Sequence, residues 1–238
     1  MTDLHHPHSD PHDRIHVLEE EVQELEAFNY AVAHELRGPL LSIRGYARQL
    51  ELNDALSLPP QARMRLRRIH EVAAGMERLI DDLLALARAR HLELRKQPLV
   101  LADLVREVLY ELRPAYPGTR VVTSELPIVE ADPALARQVL VNVIGNALKY
   151  SARAEQPLVQ VGVDTRGDLY VEDNGIGFAM QQAEAVFKPF ERICGSAAYS
   201  GSGVGLAIAR RILERHGGWI RARSREGGPT VFTFSFGH

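Results

Sequence analysis

The sequence predicts an α+β protein in which an N-terminal helical hairpin, paired into a dimeric four-helix bundle, precedes a two-layer α/β sandwich. Apolar residues recur every three or four positions as far as Ala87, which is the period of packed helices. After Lys96 short apolar runs separated by turn residues predict a mixed sheet, with three helices among the strands. We therefore expect a disordered, histidine-rich head at 1–13, a helical domain at 14–95 and the sandwich at 96–238.

Composition narrows the class of protein. The chain has 238 residues, of which 45% are apolar, and its net charge of -3 offers no basic surface for nucleic acid. Its one cysteine, Cys194, can form no internal disulfide, which suits a reducing compartment. No apolar run reaches the roughly 18 residues of a membrane helix, and the first residues lack a signal-peptide pattern. We expect a soluble, cytoplasmic protein without a nucleic-acid partner.

The first helix is predicted from near Asp13 to near Leu52, where Asn53 and Asp54 break the pattern. Its apolar positions alternate by three and four residues, as in a coiled coil: Ile15, Leu18, Val22, Leu25, Val32, Leu36, Ile43, Ala47 and Leu50. The second helix carries a broader stripe: Leu66, Ile69, Val72, Met76, Leu79, Ile80, Leu83, Leu84 and Ala87.

The apolar face of this hairpin is too wide for one partner helix to cover, so pairing with a second copy predicts a homodimer. Charge favours the hairpin itself. Leu18 to Leu52 holds seven acids and three bases, whereas Gln61 to Lys96 holds nine bases and five acids. The two helices should attract each other, although any single exposed pair is worth only about 0 to 1 kcal/mol.

The segment from His34 to Leu40 is unusual for a helix because it contains Gly38 and Pro39. Pro39 cannot donate a backbone hydrogen bond to Glu35, so a bend is expected within a turn of His34. Strain beside a titratable side chain indicates a functional site. Taken alone, the same pattern also fits a structural histidine before a helix kink.

The second domain should contain six strands and three helices. The strands are predicted at Leu99–Leu101, Arg120–Thr123, Leu158–Val163, Leu169–Glu172, Trp219–Arg223 and Thr230–Phe236. The helices are predicted at Ala102–Leu112, Pro133–Tyr150 and Val204–His216, on one face of the sheet. The domain boundary is expected near Arg95.

One face of the middle helix carries Asn142, Asn146 and Lys149, which are spaced by four and three residues. An amide oxygen is a hard ligand that suits magnesium, and an ammonium group can neutralise a phosphate oxygen. Such residues are also common on exposed helices. The face is a candidate ligand site only in combination with other motifs.

Two glycine-rich segments supply that combination. Asp173, Gly175 and Gly177 follow a predicted strand, where glycines let the backbone approach a ligand and the carboxylate can accept from the adenine amino group. The alternative is a plain surface turn. Gly201, Gly203 and Gly205 lead into the last helix, whose free amide groups favour an anionic phosphate.

From Leu18 to Phe236 these segments resemble, in order, the catalytic core of a sensor histidine kinase of a two-component system. The matching motifs are a phospho-acceptor box at His34–Leu40, an asparagine box at Asn142–Tyr150, glycine boxes at Asp173–Gly177 and Gly201–Leu206, and a phenylalanine box at Phe187–Phe190. The resemblance implies a dimerisation and histidine-phosphotransfer domain followed by an ATP-binding domain. Any one motif occurs by chance, whereas five in the expected order do not.

The resemblance also implies roles for individual residues. Asn146 would ligate Mg²⁺ with help from Asn142, while Lys149 would touch phosphate, Tyr150 would pack near the base and Asp173 would bind adenine. Gly175, Gly177, Gly201, Gly203 and Gly205 would let the backbone approach ATP, and a lid at about 192–202 would close over it. Phe187 and Phe190 are assigned no chemistry, because core packing explains them equally well.

The implied reaction is attack of His34 on the γ-phosphorus of ATP, with Glu35 bound to the other ring nitrogen. The phosphoryl group would pass to an aspartate in the receiver domain of a response regulator. Many relatives have Thr or Asn where this chain has Gly38, so weak phosphatase activity is expected.

Two alternatives stay open at this point. ATPases of the gyrase, heat-shock chaperone and mismatch-repair type share the nucleotide fold but lack an upstream histidine box on a dimerising helix. A dimeric scaffold without catalysis is the other, although Asn146, Lys149 and Asp173 argue against degeneration. No sensor is recognisable, so the input is expected from a partner, from a larger protein or from the coiled coil.

Overall fold

A computed structural model describes residues 32–33, 35–52, 58–88, 94–191, 193 and 203–237. The chain divides into two compact units, Met1–Ala87 and Arg88–His238. The predicted head, the coiled-coil segment before residue 32, His34 and most of the predicted lid lie outside the described residues. None of the described helices is both long enough and apolar enough to cross a membrane.

The first unit contains two helices of a hairpin. Helix α1 includes residues 35–52, and helix α2 spans Pro60–Arg88. Both bury side chains at intervals of seven residues, which is the repeat of helices packed along a seam. The buried positions of this seam are Ala33, Leu40 and Ala47 on the first helix and Leu66, Ala73 and Ile80 on the second.

Ion pairs between side chains also connect α1 to α2. Arg37 pairs with Asp81 and Arg44 with Glu77, while the His70 Nε2 lies 3.2 Å from a carboxylate oxygen of Glu51. In the first two pairs α1 supplies the base and α2 the acid, which is the reverse of what the net charges of the two segments predict. Net charge therefore did not identify which side chains meet, because only one narrow face of each helix reaches the other.

The second unit is an α/β sandwich. Its strands are β1 (Gln97–Val100), β2 (Arg120–Thr123), β3 (Ile128–Ala131), β4 (Leu158–Val163), β5 (Leu169–Asp173), β6 (Trp219–Ser224) and β7 (Thr230–Ser235). Five of them form one sheet in the order β2-β4-β5-β7-β6. The pair β2 and β4 is parallel and the others are antiparallel, so the predicted mixed sheet is confirmed.

Three helices accompany this sheet: α3 (Leu101–Leu112), α4 (Pro133–Ser151) and α5 (Gly205–Arg215). Helix α4 contacts β4 and β5, and α5 contacts β6 and α4. Alternate residues of the central strands are buried, among them Val159, Val161 and Val171. The core therefore lies between the helices and one face of the sheet, as the sequence predicts.

The sequence prediction was wrong at the start of this unit. The strand expected at Leu99–Leu101 is β1, which ends at Val100, and Leu101 is already the first residue of α3, fully buried. Strand β3 was not predicted at all. It pairs antiparallel with β1 in a separate two-stranded sheet, where partner strands satisfy backbone groups that no local pattern reveals.

Candidate functional site

Helix α4 positions the first group of candidate residues. Asp132 caps its start, since the carboxylate Oδ1 accepts from the backbone amides of Ala134 and Leu135 at 3.0 and 3.2 Å. Pro133 follows at the first helical position, where no amide is needed. The buried stripe of α4 comprises Ala136, Val139, Leu140, Val143, Ile144, Ala147, Leu148 and Ser151, and the asparagine-box residues lie beside it, half-buried.

The structure brings Asn142 together with the start of α5. A Cβ atom added to Gly205 would lie 2.9 Å from the Asn142 Oδ1, so only glycine lets the two helices come this close without displacing the amide. The Asn142 Nδ2 is buried, and no described residue accepts a hydrogen bond from it. A buried donor without a partner costs about 1 to 3 kcal/mol, so this position is suited to an anionic oxygen from a ligand.

The end of α4 meets the first glycine segment. A Cβ atom on Gly175 would lie 2.5 Å from the Tyr150 carbonyl oxygen and 2.7 Å from the Asp173 Oδ1, which explains the need for glycine. The Lys149 Nζ lies 4.1 Å from the centre of the Tyr150 ring. Lys149, Tyr150 and Asp173 are thus on neighbouring segments, whereas Asn146 lies one helical turn before Tyr150 on α4.

Asp173 is the last residue of β5 and only 2% exposed. Burial raises its pKa from 3.8 to about 7, the neighbouring charge of Glu172 adds to the increase, and the bond from the Gly175 amide opposes it. That amide donates to the Asp173 Oδ1 at 2.9 Å. A carboxyl group held in this way presents an acceptor at the end of a central strand, where it can bind the amino group of a base.

The β6–β7 turn packs against the first glycine segment. The sequence analysis did not predict this contact. Gly177 has φ +58°, and a Cβ atom there would lie 1.9 Å from the Arg225 carbonyl oxygen. The Gly227 amide donates to the Ile176 carbonyl at 2.8 Å, and the buried Ser224 Oγ accepts from the Phe178 amide at 3.0 Å. The paired glycines of this turn, Gly227 and Gly228, were the available signal in the sequence.

A backbone hydrogen bond lies next to the predicted lid segment. The Phe190 amide donates to the Gly203 carbonyl at 3.0 Å, which joins the residues on either side of the segment 192–202. Phe190 is 58% exposed and has φ +65°, a left-handed conformation that is rare for an aromatic residue. Phe187 is buried and packs edge to face on Phe232. Gly201 lies outside the described residues.

The phospho-acceptor segment lies in the other unit. Glu35 is exposed on α1, and the helix continues through Gly38 and Pro39. A Cβ atom on Gly38 would meet no atom within 4 Å. His34, which the sequence singled out, lies outside the described residues.

The donor set of the second unit fits a nucleotide with a magnesium ion. Amide oxygens on α4 are the hard ligands that magnesium prefers alongside phosphate oxygens and water. Among the described residues no three His, Cys, Asp or Glu side chains cluster as a self-contained metal site. The glycine at the start of α5 also places no side chain between the helix terminus and a phosphate.

Two family models match the chain. The His Kinase A (phospho-acceptor) domain covers residues 24–92, and the histidine kinase-, DNA gyrase B- and HSP90-like ATPase domain covers residues 131–237. The first of these contains His34, and the second contains every candidate residue of the nucleotide site. The two domains occur in the order that the sequence motifs predict.

The chain is also similar to curated histidine kinases and to solved structures of this class. The chain is 33% identical over 91% of its length to cyanobacterial phytochrome B of Nostoc sp., and 34% identical over 94% to the methanogenesis regulatory histidine kinase FilI of Methanothrix harundinacea. It spans only 30% and 26% of those two proteins. The crystal structure of full-length ShkA in complex with AMPPNP matches 89% of this chain and 45% of that one, with 29% identity and a TM-score of 0.68.

The chain therefore contains the catalytic core of a sensor histidine kinase. This class comprises ATP-dependent enzymes that phosphorylate themselves on histidine in two-component signalling. The phospho-acceptor match separates the chain from the ATPases that share only the nucleotide fold.

Proposed function

We propose that this chain transfers the γ-phosphoryl group of ATP to His34, and then from His34 to an aspartate in the receiver domain of a response regulator. The observation that carries the proposal is the convergence of Asn142 with Gly205, and of Asp173 with Gly175 and Tyr150, in one domain. This domain follows a phospho-acceptor family match that includes His34.

ATP would be held by residues from the middle of α4 to its C-terminal end. Asp173 would accept from the adenine amino group, and Tyr150 would pack near the base, which is supported by their contacts with Gly175. Asn142 would donate from its unsatisfied Nδ2, and Lys149 would neutralise a phosphate oxygen. Gly201, Gly203 and Gly205 would leave room for the phosphates. The similar ShkA structure was determined in complex with AMPPNP, which supports a nucleotide as the ligand of this domain.

Asn146 would hold Mg²⁺ through its amide oxygen, with Asn142 assisting. Bound magnesium would neutralise charge on the phosphates of ATP and on the leaving group. The protein's own contribution is to orient the phosphates between α4 and the start of α5. The contact between Gly205 and Asn142 supports this role, since it fixes the amide beside the helix terminus.

In the chemical step the lone pair of one imidazole nitrogen of His34 would form a bond to the γ-phosphorus. The bond from phosphorus to the bridging oxygen would break, and its electron pair would leave with ADP. Glu35 would accept a hydrogen bond from the other ring nitrogen, which fixes the tautomer and stabilises the positive charge that develops. The exposed position of Glu35 on α1 is compatible with this role.

The active form would be a homodimer. Leu36, Ile43 and Leu50 recur at seven-residue intervals on α1, and each is about half exposed. They lie beside the buried seam of the hairpin instead of within it. An open groove of about 400 Å³ on the hairpin is lined by apolar residues that include Ile43, Ile69 and Met76. A second hairpin would cover this surface in a four-helix bundle.

The test uses purified protein, γ-labelled ATP and Mg²⁺. We expect a protein-bound label that is stable in alkali and labile in acid, as for phosphohistidine. His34→Ala should abolish it, and the matched control His70→Ala, which removes another histidine of the hairpin, should retain it. Asp173→Asn and Asn146→Ala should reduce labelling because they weaken nucleotide binding.

Other outcomes identify the alternatives. Release of inorganic phosphate without protein labelling would indicate an ATPase of the related fold. Absence of both labelling and phosphate release would indicate a non-catalytic scaffold. A label that persists in His34→Ala would contradict the assignment of the phosphorylated residue.

A further inference from the structure

A buried histidine outside the proposed chemistry joins the two helices that would hold the nucleotide. His216 follows directly after α5 and is 1% exposed. Its Nδ1 lies 2.8 Å from the Ile212 carbonyl oxygen, and its Nε2 accepts from the Asp132 amide at 3.1 Å. A carbonyl only accepts and a backbone amide only donates. The ring is therefore neutral, with its proton on Nδ1.

The same two helices also meet at the start of α5, where Gly205 lies close to Asn142. Gly205 begins α5 and adjoins Asn142, whereas His216 follows α5 and bonds to Asp132, the residue that caps α4. The intervening stretches are ten residues on α4 and eleven on α5, each about 15 to 17 Å at 1.5 Å per residue. The helices thus run antiparallel, and the two contacts together determine how far one can slide along the other.

The surroundings of His216 make it a junction of several segments. The Lys96 Nζ donates to the His216 carbonyl at 2.8 Å, and the Arg95 amide donates to the Asp132 Oδ2 at 3.2 Å. The His216 ring packs edge to face on Phe236, with ring centres 5.6 Å apart. These neighbours restrain both the backbone and the ring of His216.

We propose that His216 is a positioning residue for the nucleotide site: its neutral ring locks the end of α5 to the start of α4 and so keeps Gly205 against Asn142. It does not touch the nucleotide itself. The inference rests on the proposed function, because it assigns the Asn142 and Gly205 contact to phosphate binding. Loss of the bond between His216 and Asp132 would let α5 slide and would weaken nucleotide binding at a distance.

Protonation of the ring should have the same effect. A proton on Nε2 would face the Asp132 amide, donor against donor, and the bond would be lost. Burial lowers the pKa of His216, and so do Lys96 and Arg215, whereas the Ile212 carbonyl and Asp132 raise it. These are the charged groups that face the ring from the segment before β1, from α5 and from the start of α4. Phe236 contributes no charge.

The experiment measures the Kd of the full chain for a fluorescent ATP analogue and for ADP with Mg²⁺, at a temperature well below unfolding. His216→Phe keeps an aromatic ring against Phe236 but loses both hydrogen bonds, and should raise Kd about fivefold to tenfold. His216→Gln keeps an acceptor for the Asp132 amide and a donor for the Ile212 carbonyl, and should stay within about twofold of wild type. Val108→Ala, which removes buried side-chain volume from α3, is the control for lost packing alone: it should lower Tm without changing Kd.

A second measurement keeps the inference testable if His216→Phe does not fold. Because the His216 pKa lies below its ordinary value, Kd of the wild type should rise relative to that of His216→Gln only as the pH falls below about 6.5, since only the wild type loses the bond by protonation. The ratio removes the effect of Asp173, which both proteins share. A folded His216→Phe variant with wild-type Kd, or a ratio that stays constant from pH 7 down to the lowest pH at which both proteins remain folded, would overturn the inference alone. A wild-type chain that binds no nucleotide would overturn the proposed function as well.

Discussion

At the scale of single residues, Asp173 shows how burial prepares a side chain for a ligand. It has a backbone amide as partner on one oxygen, at 2.9 Å, and almost no exposure to solvent. Desolvation raises its pKa to about 7 and so disfavours the negatively charged carboxylate. The carboxylate is nevertheless the stronger acceptor for the adenine amino group. The residue is therefore positioned for binding at the expense of folding stability.

The destabilisation caused by burial of Asp173 should depend on pH. Burial raises the Asp173 pKa from 3.8 to about 7, so between these values the unfolded chain has released its proton and the folded chain has not. The free energy of unfolding should fall as pH rises through this window, by at most about 4 kcal/mol, and Asp173 should add no further change above it. Asp173→Asn should remove that loss, so its Tm relative to wild type should be higher at pH 8 than at pH 5.

Thermal melting without nucleotide at the two pH values is the measurement. Glu107→Gln, which neutralises an exposed carboxylate on α3, is the control and should give the same difference from wild type at both. An Asp173→Asn variant whose Tm difference does not change with pH would show that the carboxyl is ionised normally.

Gly38 leads to a second prediction at this scale. It lies one helical turn after His34, has no polar side chain to hold a water molecule, and has open space around its Cα. Gly38→Thr should therefore fit and should accelerate dephosphorylation of the phosphorylated response regulator. The rate of loss of label from the regulator is the measurement, with Gly38→Ala as the control for helix stabilisation. Fast dephosphorylation by the wild type would contradict this interpretation.

At the scale of elements, the first glycine segment depends on the β6–β7 turn. Gly177 has a positive φ and lies very close to the Arg225 carbonyl oxygen. Any other residue at this position would therefore have a strained backbone and a side chain that clashes with this carbonyl. Gly167, in the turn between β4 and β5, has φ +87° but no atom within 4 Å of an added Cβ. Comparing substitutions at Gly167 and Gly177 therefore distinguishes the effect of backbone strain from that of the steric clash.

Gly177→Ala should destabilise the protein by more than about 3 kcal/mol or should displace the segment and abolish nucleotide binding. Gly167→Ala should cost only about 1 to 2 kcal/mol, from the left-handed backbone alone, and should leave nucleotide binding unchanged. Urea unfolding and nucleotide titration measure the two effects. Equal losses in both variants would indicate that the contact with Arg225 is unimportant.

At the scale of the whole molecule, the exposed apolar residues are concentrated on the hairpin. Ten of the sixteen large apolar side chains that are exposed among the described residues belong to α1 or α2: Leu36, Leu41, Ile43, Tyr46, Leu50, Leu52, Met64, Ile69, Val72 and Met76. The seam within the hairpin uses small residues such as Ala33, Ala47 and Ala73 instead. Exposed apolar residues in such numbers on one helical hairpin are typical of an interface.

Ile69 tests that interface. It is 42% exposed and lines the groove, so Ile69→Glu should place a charge in the interface and convert the dimer to a monomer. Met64→Glu is the control, because Met64 is 63% exposed on α2 but does not line the groove. Light scattering gives the mass of each variant. A dimeric Ile69→Glu protein would place the interface elsewhere.

The elements that could be predicted from the sequence are those with a strong local signal. Five of the six predicted strands form the mixed sheet, and they and the helices α3 to α5 follow from periodicity, since one face of each is buried. The sixth predicted strand, β1, lies in the separate two-stranded sheet. The class of enzyme followed from the order of the motifs. Strand β3 was missed because its four residues have no local pattern, and its pairing with β1 joins segments that are about 30 residues apart.

By itself, the sequence determined the order of the two domains, the family and the residue types that the chemistry needs, because these depend on patterns within short segments. Only the tertiary structure decided which side chains meet: the reversed ion pairs of the hairpin, the support of Gly177 by the β6–β7 turn, and the bond from His216 to Asp132. Such contacts join residues that are far apart along the chain. Their distances and directions are determined by packing of the whole fold, which no local pattern contains.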